Sequence, residues 1–425
     1  MAKAKSITPT ALTLDLERAR AHWLARQGLV TPTATLAAGA KIEDVLAATS
    51  WGRTLGGVDV YLAVRARIPA LKRKDLDAAV EQSRVQVIPA VRGCIYLVPR
   101  VHVPLALRVA ESLARKRIDA ETAKAGVKAG ELDAVGNAIV KTLAKGPLGT
   151  DALRRAMPDG AVRSLGELGK KIGLSSTLPP ALRLLEFAGV IERTLEGGRL
   201  DTERYLWRRT ARSPFDGARL PTDPAALYAE LAGVFAAQCG PMTVDDFATW
   251  SGLGKRDALA AIQKRGLAAV EVTGYGTPAF VREEDLPVLR KPAPSVAGVS
   301  FLSFEDSYLT HHRGPGTVTD PAYHDIEMKS WGMPGKTRLG EAAHIQTRSF
   351  VLDGLLAGFW EYDPSTQAIA YHAFGGVPPK RKAAVQKAAD SLAAFISGEL
   401  GHARSFSLDT DAQVQDRARH VAAMK

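Results

Sequence analysis

Between about Gly130 and Thr210 the chain shows its clearest recurrence of apolar positions. Leu132, Val135, Ile139, Val140 and Leu143 return at three- and four-residue spacing, which predicts an amphipathic helix. Gly146-Pro147 ends it. Thr150-Asp151 can cap a short helix over Ala152 to Ala156, ahead of Pro158. Ser176 or Thr177 then opens a third helix whose first turn holds Pro179 and Pro180, where a missing N–H costs nothing. Leu182, Leu185, Phe187 and Val190 are expected to face the core. A strand from Val190 to Leu195, a tight turn at Glu196-Gly197-Gly198-Arg199 and a return strand Tyr205 to Arg209 predict a hairpin. Helices followed by a charged hairpin give the order of a winged helix, with the hairpin as its wing.

The same order recurs from about Pro221 to Leu286. Leu227, Leu231, Val234 and Phe235 mark a helix, Gly240-Pro241 breaks it, Thr243 caps a helix through Trp250, and Asp257 to Lys264 is the candidate recognition helix. Val270 to Val272 and Ala279 to Val281 pair across Gly274-Tyr275-Gly276. A looser copy precedes both: helices over Leu14 to Gly28, Ile42 to Thr49 and Lys72 to Gln82, then a hairpin of Val85 to Ile88 with Cys94 to Val98. Beyond Pro292-Ala293-Pro294, read as a linker, strands dominate at Ser300 to Phe304, Phe350 to Leu352, Leu355 to Tyr362 and Ile369 to Phe374. A last helix, about Lys380 to Ser397, closes the chain. The expected architecture is therefore α+β: three tandem winged-helix motifs over 1–129, 130–212 and 213–291, then a β-rich, barrel-like domain over 292–425.

Composition narrows the class. Hydrophobic content of 46% and charged content of 24% suit a folded chain and exclude wholesale disorder. No apolar run is long enough for a membrane span, and the basic start Met1-Ala-Lys-Ala-Lys lacks the apolar segment of a secretory signal, so a cytoplasmic, nucleoid-associated location is expected. Cys94 and Cys239 sit far apart among apolar neighbours and are read as reduced core thiols. No cysteine pair has metal-ligand spacing, and no cofactor or metal is called for. His311-His312 and His324 are read as polar loop histidines.

Charge says more. The chain carries 56 Lys and Arg against 45 Asp and Glu, a formal +11. An excess of this size favours a polyanion, because each phosphate neutralised releases condensed counterions. A helix fits the major groove of B-DNA, and arginines and lysines around it hold phosphates and set register. The candidate footprint is Arg183, Arg193, Arg199, Arg204, Arg208, Arg209 and Arg212 in the second unit, with Lys255, Arg256, Lys264 and Arg265 in the third. The expected partner is double-stranded DNA, bound by a monomer with no obligate protein partner. The plainer alternative is that these cations only solvate the surface of protein-interaction modules.

The order of five stretches is similar to the AlkZ-like (YcaQ-like) winged-helix DNA glycosylases: Ala19 to Leu29, Tyr61 to Arg67, Arg92 to Arg100, Phe301 to Leu309, and Val351 to Trp360. The resemblance spans about Leu14 to Leu408. It implies three winged helices closed by a C-terminal β-rich domain, DNA in a concave channel, and metal-free excision of bulky alkylated or crosslinked bases. It also implies a Gln-x-Gln or Gln-x-Asp pair ahead of the Tyr61-Leu62 helix. This sequence departs there: one register puts Thr49-Ser50-Trp51 at that place, another Gly57-Val58-Asp59.

Cleaving an N-glycosidic bond builds positive charge on the sugar, which a carboxylate or oriented amide must stabilise. Asp59 is the first candidate, with a helix N-cap as its alternative role. Glu305 and Asp306 are the second, with an alternative role as strand-end residues that orient the C-terminal domain. Trp51 and Tyr61 can stack on an extruded base or pack in the core. Gly56-Gly57 permits a bend or a close backbone approach. Two functions stay open: a repair-type DNA-binding protein with glycosylase capability, and a non-enzymatic DNA-binding regulator.

Overall fold

The computed structural model describes residues 12–29, 40–293, 295–329 and 335–424. The basic start of the chain and Pro294 of the expected linker lie outside them. The chain divides into two compact units, one of residues 1–76 with 229–425 and the other of residues 77–228. Each boundary falls inside a helix, Arg73–Glu81 and Pro224–Cys239.

In the 77–228 unit the hairpin Val85–Pro89 with Ile95–Pro99 leads into the long helix Val103–Lys124. The helices Glu131–Leu143, Thr150–Ala156, Gly166–Lys170 and Leu178–Phe187 follow, then the antiparallel strands Ile191–Leu195 and Tyr205–Arg209. Val135, Ile139, Leu143, Leu153, Leu178, Leu182, Ile191 and Trp207 form their shared core. Trp207 fixes the hairpin at three points. Its backbone exchanges hydrogen bonds with Leu148 at 2.8 and 3.0 Å, and its indole N–H donates to Thr150 Oγ1 at 3.1 Å. Helix Leu178–Phe187 does carry prolines in its first turn, yet the Thr177 hydroxyl does not cap it; it accepts instead from the Arg163 amide. The connection between the strands is not a tight turn. It runs through two short 3-10 turns, Glu196–Gly198 and Leu200–Thr202, with Leu200 and Asp201 buried, and closes by the Glu196 amide donating to Arg204 O at 3.0 Å.

In the other unit the helix Leu16–Arg26 starts at Asp15, whose carboxylate accepts from the Arg18 amide. Thr243 and Asp246 make a reciprocal capping box at the start of Val244–Ser251, satisfying two otherwise orphaned amides. Helix Lys255–Arg265 ends at Gly266, whose φ of +73° suits glycine. Strands Ala268–Val272 and Ala279–Val281 pair as expected, and Thr13–Leu14 joins them in parallel. The C-terminal strands form an open antiparallel sheet in the order Ala368–Ala373, Leu355–Asp363, Arg348–Leu352, Val299–Leu302. The two outer strands do not meet, so the barrel expectation is corrected to an open sheet. Two helices, Lys382–Phe395 and Asp411–Ala422, pack on it, where one was expected. One apolar core runs from Leu14 and Trp23 through Val270 and Tyr308 to Phe359 and Phe374. The class is α+β. Among the described residues no helix is long and apolar enough to cross a membrane.

Candidate nucleic-acid interface

The three carboxylates singled out for catalysis are each held by an arginine of the same unit. Asp59 is the first helical residue of Asp59–Arg65, with Val58 as the N-cap, so it does not cap that helix. It is 6% exposed. Oδ1 accepts from the Phe304 amide at 2.8 Å and from Arg348 Nε at 2.9 Å, and Oδ2 accepts from Arg348 Nη2 at 3.0 Å. Arg348 is itself buried; it also donates to Glu361, to Ala403 O and to Ser405 Oγ. Burial disfavours its cation, but Asp59 and Glu361 outweigh that and raise its pKa above the ordinary arginine value. Glu361 in turn accepts from Arg417 at 3.0 Å, and Arg417 reaches Asp409 at 2.9 Å. Asp59 is thus one end of a chain of alternating charges, buried as far as Glu361 and partly exposed at Arg417 and Asp409, with its own oxygens already engaged.

Glu305 is paired with Arg53, and Asp306 with Arg67, each side chain of the latter pair being 1% exposed. Asp306 also accepts from the Tyr308 amide at 3.0 Å and caps helix Ser307–Thr310. Gln27 accepts from both Arg67, through its backbone and side-chain oxygens at 3.1 Å, and from Ser307 Oγ at 2.9 Å. Thr49 and Ser50 are buried and donate their hydroxyls to the backbone at Val45 O and Thr49 O.

The stacking reading of the aromatics is corrected. Trp51 is 4% exposed and lies 5.2 Å, ring to ring, from Trp250, which stacks on Phe235 at 4.6 Å. Tyr61 is fully buried. Neither offers a face to a base, so core packing is their role. His312 lies in the loop between helix Ser307–Thr310 and the turn Pro315–Val318, but it is buried there, stacked 3.9 Å from the Trp23 ring, and burial lowers its pKa well below the ordinary histidine value. Gly57 makes its close approach within its own unit. A Cβ there would sit 2.1 Å from Arg404 O. Cys239 is buried, whereas Cys94 is partly exposed and so is no core thiol. Among the described residues no three His, Cys, Asp or Glu side chains converge as metal ligands.

The cations divide into engaged and exposed. Two cross-strand pairs build the hairpin of the 77–228 unit. Arg193 lies opposite Trp207 with its guanidinium 4.9 Å from the indole, and Arg208 lies opposite Glu192 at 2.8 Å. Arg193 also donates to Glu186 at 2.8 and 3.2 Å, and Arg208 to Ser83 Oγ at 2.7 Å. Arg199 pairs with Asp201. These three hold structure together. Arg183 is 34% exposed and borders a cavity beside Phe187. Arg212 faces Asp216 at 3.8 Å, a weak exposed pair. Arg204 and Arg209 are exposed and, among the described residues, have no acid within ion-pair reach. Lys141, Lys145, Arg155 and Lys171 are exposed in the same unpaired way, and the sequence reading passed over them. Their signal was regional charge: this unit holds 24 basic and 17 acidic residues, a net +7 of the +11 in about a third of the chain.

On helix Lys255–Arg265 of the other unit, Lys255 pairs with Asp245 at 2.9 Å and Arg265 with Glu230 at 3.5 Å. Arg256 is 96% exposed beside Asp257, and Lys264 is exposed. Exposed pairs of this kind contribute about 0–1 kcal/mol and exchange readily for phosphate.

A family model described as DNA glycosylase AlkZ-like matches residues 57–395. That span contains four of the five stretches named above and begins just after Thr49-Ser50-Trp51. Among solved structures, the Streptomyces sahachiroi DNA glycosylase AlkZ is similar, with a TM-score of 0.68 and 20% identity. The match covers 91% of this chain and 98% of that one, and at this identity it shows a shared fold. No curated protein matches the sequence.

Proposed function

The chain belongs to the AlkZ-like DNA glycosylase family, and on that basis we propose that it binds double-stranded DNA as a monomer at the nucleoid. The segments 130–212 and 213–291 act in this reading as winged-helix readers, 1–129 as a looser third, and 292–425 as the β-rich closing domain. The observation that carries it is the exposed, unpaired cation set of the 77–228 unit, Lys141, Lys145, Arg155, Lys171, Arg204 and Arg209. Arginines and lysines without a carboxylate partner are free to take phosphates, and each one taken releases counterions.

Duplex bearing bulky N7- or N3-alkylpurines or crosslinks is the substrate class the family points to. The engagement of Asp59, Glu305 and Asp306 by Arg348, Arg53 and Arg67 favours the second reading, a DNA-binding protein that does not cut the glycosidic bond with these acids. Incubation with alkylated duplexes and assay for abasic sites separates the two. Absence of product beside a sequence-selective footprint supports the binding protein. Accumulating abasic sites support the glycosylase.

A further inference from the structure

The 77–228 unit holds a cavity of about 200 Å³ that the DNA reading does not use. One wall is a single face of helix Val103–Lys124, where Ala110, Ala114 and Ile118 recur every four residues; the other is formed by Pro180 and Phe187 of helix Leu178–Phe187. An apolar cavity of about 150 Å³ is enough to take up benzene. This one differs in having charged side chains in its lining, the guanidiniums of Arg183 and Arg117 and the carboxylate of Glu121.

Arg183 is short of counter-charge. Its acid neighbour Glu186 is 4.0 Å away, and both oxygens of Glu186 are taken by Arg193. Arg117, its side chain 71% exposed, faces Glu121 at 3.9 Å. Burial lowers the pKa of Arg183; Glu186 opposes this, and the charges of Arg193 and Arg117 add to it. Arg183 and Arg193 therefore share one buried carboxylate, Glu186, at the edge of the cavity, while Arg117 and Glu121 face each other at its exposed rim. An anion arriving with an apolar body would supply Arg183 with a counter-charge of its own and fill the space together.

We propose that this cavity binds a monocyclic aromatic carboxylate, its ring among Ala114, Ile118 and Phe187 and its carboxylate on Arg183. A bare phosphate would meet the charge but gain nothing from the apolar walls, and a neutral ring would gain the walls alone.

Isothermal titration of the full-length protein with benzoate, benzyl alcohol and inorganic phosphate tests this. Benzoate should bind, with benzyl alcohol and phosphate each at least about tenfold weaker, since a charge-assisted hydrogen bond and an apolar ring are each of that order. Arg183→Met should weaken benzoate by at least about tenfold, and Ala114→Leu, which fills the void, should abolish binding. Circular dichroism checks that both variants fold; if Ala114→Leu does not, Arg183→Met decides. No benzoate binding at roughly 10 mM, or benzoate binding unchanged in the folded variants, overturns the proposal. Phosphate binding as tightly as benzoate also overturns it, and assigns the arginines to a DNA backbone instead.

Discussion

Replacing Asp59 by asparagine separates a structural acid from a catalytic one. Asparagine keeps one oxygen for Arg348 Nε and the Phe304 amide, now at 2.9 and 2.8 Å. Its NH2 group, however, faces Arg348 Nη2 across what was a 3.0 Å hydrogen bond, so two donors oppose each other. One charge-assisted bond, worth about 1.5–3 kcal/mol, is lost and a second is weakened, which together cost about 2–4 kcal/mol. Arg348→Met should cost more, about 3–5 kcal/mol, because it leaves both Asp59 and Glu361 buried without their shared cation. Chemical denaturation followed by tryptophan fluorescence reads both midpoints. Asp59→Ala should then cost at least about 1 kcal/mol less in an Arg348→Met background than in the wild type, since the two side chains act as one unit. An Asp59→Asn protein that unfolds at the wild-type midpoint refutes the reasoning. Should it also lose a DNA-cutting activity that the wild type has, Asp59 is a catalytic acid after all.

Other expectations follow from the same structure. Burial, with Arg26 and Arg282 nearby and only Asp285 opposing, lowers the His22 pKa from 6.5 to about 4. The folded state then refuses a proton that the unfolded chain accepts, so His22 contributes stability that is full above pH 6.5 and is lost as pH falls toward 4. At 1.36 kcal/mol per unit this approaches about 3 kcal/mol, and melts of His22→Gln should show a shallower loss across that window. Gly57→Ala places a methyl against Arg404 O at a φ of +75°, and should cost at least about 2 kcal/mol by denaturant unfolding, from strain and from disturbing the segment whose Ala403 and Ser405 bind Arg348. Arg193→Ala should destabilise by about 2–4 kcal/mol, because it leaves Glu186 buried and strips a cation from Trp207, while the salt dependence of DNA binding stays as in the wild type.

The periodicity of apolar positions carried most of the local structure. Helix Glu131–Leu143 lies where the three- and four-residue spacing put it, because that spacing is what a half-buried helix requires. The hairpin of Ile191–Leu195 with Tyr205–Arg209 was legible as two short runs rich in β-branched and aromatic residues on either side of a glycine pair. Its turn was not: Glu196-Gly197-Gly198-Arg199 reads as a tight turn locally, but buried Leu200 and Asp201 draw the chain into a longer loop, a tertiary effect no four-residue window contains. An open sheet and a closed one share the same alternation, so the C-terminal strands could not tell their own topology. Charge partners were the hardest to see. Asp59 and Arg348 are 289 residues apart in sequence, and Glu305 and Arg53 are 252 apart, so the pairs that engage these acids exist only once the chain has folded. For the arginines, residue type gave the footprint, but only cross-strand geometry shows that Arg193 and Arg208 are spent inside the hairpin while Arg204 and Arg209 are not.

Duplex binding by those unpaired cations is the central claim. The most direct test is the logarithmic salt dependence of affinity for a plain DNA duplex, measured by fluorescence anisotropy between about 50 and 200 mM salt for the wild type and an Arg204→Ala/Arg209→Ala double variant. The predicted slope is about −3 to −5, flattened by about 2 in the double variant, with the fold unchanged. A wild-type slope near zero, or a slope the two substitutions leave untouched, contradicts it.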